Sequence, residues 1–529
     1  MKPQSIFLAC LALLTIPGCQ APENKKPEKP NILFIMTDDH SYQTLSAYDE
    51  RYIETPNLDK IAEDGVIFTN SFVGNSICAP SRATMLTGKH THINGQMTNS
   101  HVFDGSQQTF PKLLQKNGYQ TALVGKWHLK SEPTGFNYWN ILPGQGSYYN
   151  PVLKEMGEEN HYEGYVTNLI TDFSIDWLDN QRKKDKPFAM LVHHKSMHRV
   201  WMPDTADLDE FKGQTYPIPE TFYDDYEGRP AAAQQHMSIR TEDMDLVYDL
   251  KMADPEDEIE TRLSDAYRHH GGEYARMTPE QKERWNEHYH PIIEDFKKRD
   301  LSGKELDEWK FQRYMQDYLA CTRSLDDNVG RLLNHLEERG LLENTLVVYT
   351  SDQGFYMGEH GWFDKRFIYE ESFRTPLLMD LPKGYERKGE VPELVQNIDY
   401  APTILDMAGV NVPEDMQGRS LVPLFDKGEE ENWRNALYYH YYEFPNEHMV
   451  KRHYGVRNER YKLVHFYYDI DHWEFYDLKK DPKELNNLYN DPEYQDEIDN
   501  MKDKLEELII QYNDTTAHKI FKGELEVTE

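Results

Sequence analysis

Behind Asn31, the residues Ile32, Leu33, Phe34, Ile35 and Met36 form an unbroken apolar run that stops at Asp38 and Asp39. A run of strand length without polar alternation predicts a strand covered on both faces, with acids at its carboxyl end. Pro56 then opens a helical pattern over 55–62, and Val66, Ile67 and Phe68 follow as a second strand. The alternation recurs. A helix over 110–117 closes at Gly118 and leads to a strand over 120–124, which runs into Gly125, Lys126, Trp127 and His128. An amphipathic helix over 167–181 leads to a strand over 187–192, which runs into Lys195 and His198. A long helix over 311–339 leads to a strand over 346–349, which ends near Asp352 and Gln353. Strands alternating with helices predict an α/β doubly wound sheet, and the polar clusters sit where such sheets bind ligands.

Between about 200 and 300 the periodicity fades and charge rises, which predicts an insertion with irregular helices inside a catalytic domain spanning 31–430. Beyond 431, short aromatic segments at 436–443, 453–456, 461–466 and 473–477 precede a helix near 496–512. They predict a smaller α+β subdomain built on an antiparallel sheet and reaching 529. At the other end, Lys2 precedes an apolar stretch over 6–16 that is too short to span a membrane. Ile16, Pro17, Gly18 and Cys19 resemble a bacterial lipobox. The resemblance implies a lipoprotein signal peptide over 1–18, lipidation at Cys19 and a tether over 19–30. Membrane contact is then through a lipid anchor alone, in the periplasm or at the cell surface of a bacterium.

Composition removes some alternatives. Among 529 residues, 58 Lys and Arg face 92 Asp and Glu, a net charge of −34, which excludes nucleic acid as the default partner. Cys10, Cys19, Cys78 and Cys321 are the four cysteines, too few for a disulfide scaffold.

The chemistry concentrates at Cys78, Pro80, Ser81 and Arg82, followed by Leu86, Thr87 and Gly88. Pro80 suits the first turn of a helix, so residue 78 would face the amino end, where free N–H groups and the dipole favour an oxyanion. Asp38, Asp39, Asp352 and Gln353 are all oxygen donors, a set suited to Ca²⁺ or Mg²⁺. Lys126 with His128, Lys195 with His198, and Lys365 within 364–370 add cations and proton carriers.

These segments together resemble the formylglycine-dependent (type I) sulfatase family, whose fold is alkaline-phosphatase-like. The resemblance implies that a maturation enzyme oxidises Cys78 to formylglycine. It also implies one Ca²⁺ held by Asp38, Asp39, residue 78, Asp352 and Gln353. Arg82 and Lys126 would hold the nucleophile, and Lys126 with Lys365 would neutralise the sulfate. His198 would protonate the leaving oxygen, and His128 would take the proton that releases sulfate. Residues 195–201 and 364–370 look closest to N-acetylglucosamine-6-sulfatases of glycosaminoglycan and heparan sulfate degradation, so the expected partner is a sulfated glycan bound through Lys126, His198 and Lys365, with His453 a candidate sugar contact. The alternatives are a sulfatase for uronate 2-O-sulfate or galactose and galactosamine sulfates, a phosphate or phosphonate monoester hydrolase of the same fold, and an inactive glycan-binding lipoprotein. The intact Cys78 motif weighs against the second, and intact Lys126, His128, His198 and Lys365 against the third.

Overall fold

The computed structural model of the chain describes residues 29–525 apart from 255, 269–271, 386–388 and 427–431. The expected leader, Cys19 and all of the tether except residues 29 and 30 lie outside the described residues.

Among the described residues, ten strands form the main sheet: β1 Asn31–Thr37, β2 Val66–Phe68, β3 Gln120–Lys126, β4 Tyr138–Leu142, β5 Val152–Glu155, β6 Glu158–His161, β7 Phe188–His193, β8 Thr345–Ser351, β9 Leu377–Asp380 and β10 Gly389–Val391. Their order across the sheet is β10-β2-β9-β8-β1-β7-β3-β4-β5-β6. The four strands β8, β1, β7 and β3 are neighbours and parallel. β1 shows why. Leu33 and Ile35 enter one core with the helices Val166–Asp176 and Gly303–Glu338, while Ile32, Phe34 and Met36 enter a second core with Cys78–Thr87 and Tyr400–Met407. Burying each such side chain stabilises by about 1.5–3 kcal/mol. A one-residue slip would exchange the two faces, so the register Thr37 to Ser351 and Met36 to His193 is firmly set.

The expected strands and helices appear with shifted ends, and the differences have local causes. The long helix starts at Gly303, and the pattern missed its first two turns because they are charged and carry little apolar periodicity. The helix from Val166 ends at Asp176 and passes into a π-turn at Trp177–Gln181. β5 and β6, not expected from the pattern, form a polar hairpin through Met156 and Gly157, both at positive φ, and their acids line the sheet edge. Within 200–300 the longest element is the 21-residue helix Pro279–Arg299, opened by a capping box at Thr278. Trp201, Phe222, Trp285 and Tyr289 of this stretch share the core of β1, so it is built into the main domain.

The C-terminal part is a four-stranded antiparallel sheet, Ala436–Tyr441, His453–Asn458, Tyr461–Phe466 and His472–Asp477, with the helix Gln495–Gln511 against it. Its other face packs on Phe367, Tyr369 and Phe373. Glu474 is buried there, with one oxygen taking bonds from the Tyr369 and Tyr476 hydroxyls at 2.8 Å and the other without a partner among the described residues. Burial raises its carboxyl to about 7. Since the unfolded carboxyl titrates near 4.3, the folded chain binds the extra proton between these values, and stability falls as pH rises through them. We therefore expect Glu474→Gln to gain on the wild type by roughly 3 kcal/mol between pH 4.5 and 7.5. Urea unfolding of both proteins across that range checks this, and parallel curves would contradict it.

Candidate active site and metal centre

Because β1 and β8 are parallel neighbours, Asp38 and Asp39 emerge beside Asp352 and Gln353. The Asp352 N–H donates to the Thr37 carbonyl at 3.1 Å, and the Asp39 N–H donates to Asp352 Oδ1 at 3.2 Å. On the other side of β1, the Asp38 N–H donates to the Ser196 carbonyl at 3.0 Å, bringing the segment after β7 to the same edge. β3 delivers Lys126. Gly125 stands at φ 105°, and a Cβ there would lie 2.0 Å from the His193 carbonyl oxygen, so only glycine lets the two strand ends close up. Gly354, next to Gln353, faces the same limit against the Glu371 carbonyl at 2.1 Å.

The helix Cys78–Thr87 supplies the centre. Cys78 is its first residue and Pro80 its third, where the missing N–H leaves no bond unmade. Cys78 Sγ donates to Asp38 Oδ1 at 3.3 Å. Arg82, four residues on and so on the same face, donates to Asp352 Oδ2 through Nε at 3.0 Å and Nη2 at 2.8 Å, and to the Lys126 carbonyl at 2.9 Å.

Charge then follows a simple pairing. Lys126 bonds Asp38, Lys365 bonds Asp39 at 2.7 Å, and Arg82 bonds Asp352. All six side chains are at most 3% exposed. Burial acts to raise every one of the three carboxyls. Against it, Lys126, His198, Arg82 and Lys365 hold Asp38 well below the usual range, whereas burial prevails at Asp39, at about 6, and at Asp352, at about 7 with repulsion from Asp38. Burial, reinforced by Asp38, pushes the Cys78 thiol well up, so an unmodified thiol here stays protonated. Asp39, His128, Asp364 and Arg366 all hold positive φ, conformations that side chains rarely adopt and that gather at functional sites.

The residues fit a hard cation. One oxygen from each of Asp38, Asp39 and Asp352 lies within 4.8 Å of the others, and Gln353 Oε1 is buried without a partner among the described residues. Gln353 Nε2 donates to Asp39 Oδ1 at 2.5 Å, so the amide already reaches the carboxylates. A second group, Asp38, Cys78 and His198, shares Asp38 with the first, so the two overlap at one carboxylate.

His198 Nδ1 donates to the Arg199 carbonyl at 2.7 Å, which leaves Nε2 as the basic nitrogen. Burial, then Lys126, lowers the pKa of His198 and of His128 well below the ordinary value, and His128 Nδ1 has no partner among the described residues. The sequence-predicted residues Asp38, Asp39, Cys78, Arg82, Lys126, His198, Asp352, Gln353 and Lys365 thus meet around one point through bonds or shared ligand distances. His453 does not join them. It is fully buried, its Nε2 accepts from the Ile368 N–H at 3.2 Å, its Nδ1 donates to the Lys451 carbonyl at 2.8 Å, and Phe367 and Tyr439 stack on it. The expectation of a sugar contact is corrected: both nitrogens are committed to holding the backbone. Tyr148, whose hydroxyl donates to the His198 carbonyl at 2.6 Å, and Tyr318, whose hydroxyl donates to the Asp39 carbonyl at 2.7 Å, brace the site. Nothing in the sequence marked these two among 35 tyrosines.

Family models match two stretches: "Sulfatase" over residues 30–410 and "N-sulphoglucosamine sulphohydrolase, C-terminal" over 358–511. The chain is 47% identical to an N-acetylglucosamine-6-O-sulfatase of Bacteroides thetaiotaomicron, with 99% of this chain and 95% of that protein covered. It is 27% identical to the human N-acetylglucosamine-6-sulfatase over 82% of this chain and 71% of that one. A solved structure of a protein in complex with its substrate D-glucosamine-2-N,6-O-disulfate superposes with a TM-score of 0.87 at 48% identity, covering 92% of this chain and 99% of that chain.

The fit of the oxygen set predicts that metal-stripped protein gains stability on adding Ca²⁺, by about 2.7 kcal/mol at a hundredfold excess over the dissociation constant. Asp39→Asn should lose most of that gain. Thermal unfolding with and without Ca²⁺ measures both, and an unchanged transition in the wild type would count against a cation at these carboxylates.

Proposed function

The chain belongs to the sulfatase family, and on that footing we propose that it removes the 6-O-sulfate from N-acetylglucosamine, or related N-substituted glucosamine, of heparan-type glycans. One observation carries the chemistry: Lys126, Lys365, Arg82 and His198 converge with three carboxylates on residue 78 at a helix amino end. The relatives named above support the choice of sugar and sulfate position. Residue 78 is read as formylglycine, made from Cys78 by a maturation enzyme and supplying a hydrated aldehyde as nucleophile. Ca²⁺, held by Asp38, Asp39, Asp352, Gln353 and residue 78, supplies Lewis acidity when bound.

The protein's own groups do the rest. The three carboxylates balance Lys126, Lys365 and Arg82. A divalent cation therefore leaves a surplus of two positive charges, which matches one anionic ester and one deprotonated nucleophile. With water largely excluded, Lys126 and Lys365 neutralise the sulfate oxygens at low dielectric, where such contacts are strong. Arg82 and Lys126 orient the hydroxyls at residue 78. His198 holds Nδ1 on the Arg199 carbonyl and gives a proton from Nε2 to the departing sugar oxygen, and the arriving anion favours its charged form. His128, kept neutral by burial and Lys126, takes the proton from residue 78 that lets sulfate leave. The leader and Cys19 support a lipid-anchored enzyme in the periplasm or at the cell surface.

Peptide mass spectrometry on protein from a host with the maturation system should show an aldehyde at residue 78. Active protein carrying only thiol would overturn that assignment. His198→Ala should lose roughly 10²–10⁴-fold in kcat/KM on a sugar sulfate and clearly less on a nitrophenyl sulfate, whose leaving group scarcely needs a proton. Equal losses would make His198 an anchor for the sulfate and not the acid. Activity confined to uronate 2-O-sulfates or to sulfated galactose would overturn the substrate.

A further inference from the structure

His198 depends for its ring orientation on a carbonyl that is not in a strand or a helix. The acceptor of its Nδ1 proton is the Arg199 carbonyl, in the irregular segment after β7. The side chain of the same residue is held firmly. Its Nε and Nη2 donate to Asp249 Oδ1 and Oδ2 at 2.6 and 2.7 Å, a two-point fork that sets direction as well as distance. Asp249 is fully buried, and its Oδ2 also accepts the Asp245 N–H at 2.7 Å. Nη2 donates further to the Asp243 carbonyl at 3.1 Å, and Nη1 reaches Glu447 at 3.1 Å. The guanidinium lies 5.0 Å over the Phe363 ring and 5.5 Å over Tyr248. Phe363 is two residues from Lys365, so the same clamp touches the segment that carries the second sulfate-facing lysine. A buried ion pair of this kind contributes little net stability compared with apolar packing. Its geometry is what it offers.

We propose that Arg199 and Asp249 are positioning residues for the reaction, fixing the acceptor that holds the His198 ring with Nε2 toward the departing oxygen. The charged stretch 200–300 thereby becomes part of the acid's support. This inference rests on His198 being the acid.

The experiment compares kcat/KM on a 6-O-sulfated glucosamine and on nitrophenyl sulfate for the wild type, His198→Ala, Asp249→Asn and the double variant Arg199→Met, Asp249→Leu. The double variant removes both charges, so unlike the single change it leaves no buried cation unpaired, and thermal unfolding measures how much of it is folded. Misplacing a reacting group by about 1 Å costs up to 10²-fold. Both clamp variants should therefore lose roughly 10–100-fold on the sugar ester and less than about fivefold on the aryl ester, the selectivity of His198→Ala in milder form. A merely structural role would lower both esters alike through the amount of folded enzyme, which thermal unfolding quantifies. If His198→Ala is selective and the double variant is not, the positioning role is overturned while the acid assignment stands. If His198→Ala itself is not selective, the acid assignment falls and the clamp with it.

Discussion

Three carboxylates in a dry place are the constraint from which the rest of the site follows. Burial opposes their charge, and their mutual repulsion opposes it again, so each stands against its own cation: Lys126, Lys365 or Arg82. Those cations come from β3, from the loop after β8 and from the helix that begins at Cys78. The pairing therefore draws separate elements to a single point. Binding chemistry and folding are coupled here, because the groups that neutralise the acids are the groups proposed to meet the sulfate. Removing any one of them leaves an unpaired buried charge as well as an incomplete site.

The sheet was legible wherever both faces of a strand are covered. Ile32 to Met36 and Leu346 to Tyr349 are apolar without interruption because helices lie on each side, and their polar ends stand out for the same reason. The edge was not legible. β5 and β6 are polar on a solvent-facing rim, and short strands such as β9 and β10 carry too few residues to show a period. At the site, the residues with distinctive chemistry could be read from their motifs. The braces could not. Tyr148, Tyr318 and Asp249 act through contacts far along the chain, 50 residues from His198, 279 from Asp39 and 50 from Arg199 respectively. His453 shows the opposite failure, a candidate sugar contact that is committed to the packed core.

The C-terminal sheet has a share in the site without contributing a reacting group. Residues 364–370 hold Lys365, and this segment is pinned by His448 on Asp364 at 3.2 Å, by Glu443 on Arg366 at 3.3 Å and by Lys462 on the Ile368 carbonyl at 2.7 Å. Two parts of the chain that sequence patterning set apart, the charged stretch and the C-terminal subdomain, thus both hold loops that carry site residues. Fine geometry at the strand ends is fixed by the sheet, and geometry in the loops is fixed by these outer layers.

The buried cleft also carries a schedule. Cys78 is fully buried in the folded chain, and one wall of its pocket is Gln353, 275 residues further on. At ordinary synthesis rates of roughly 5–20 residues per second, the wall emerges some 14–55 s after the cysteine. For that interval residue 78 belongs to a chain whose central strands β1 and β8 cannot yet pair, so no finished sheet covers it. Any enzyme that must reach this side chain has its opening before the chain folds, and pairing of β8 with β1 closes it.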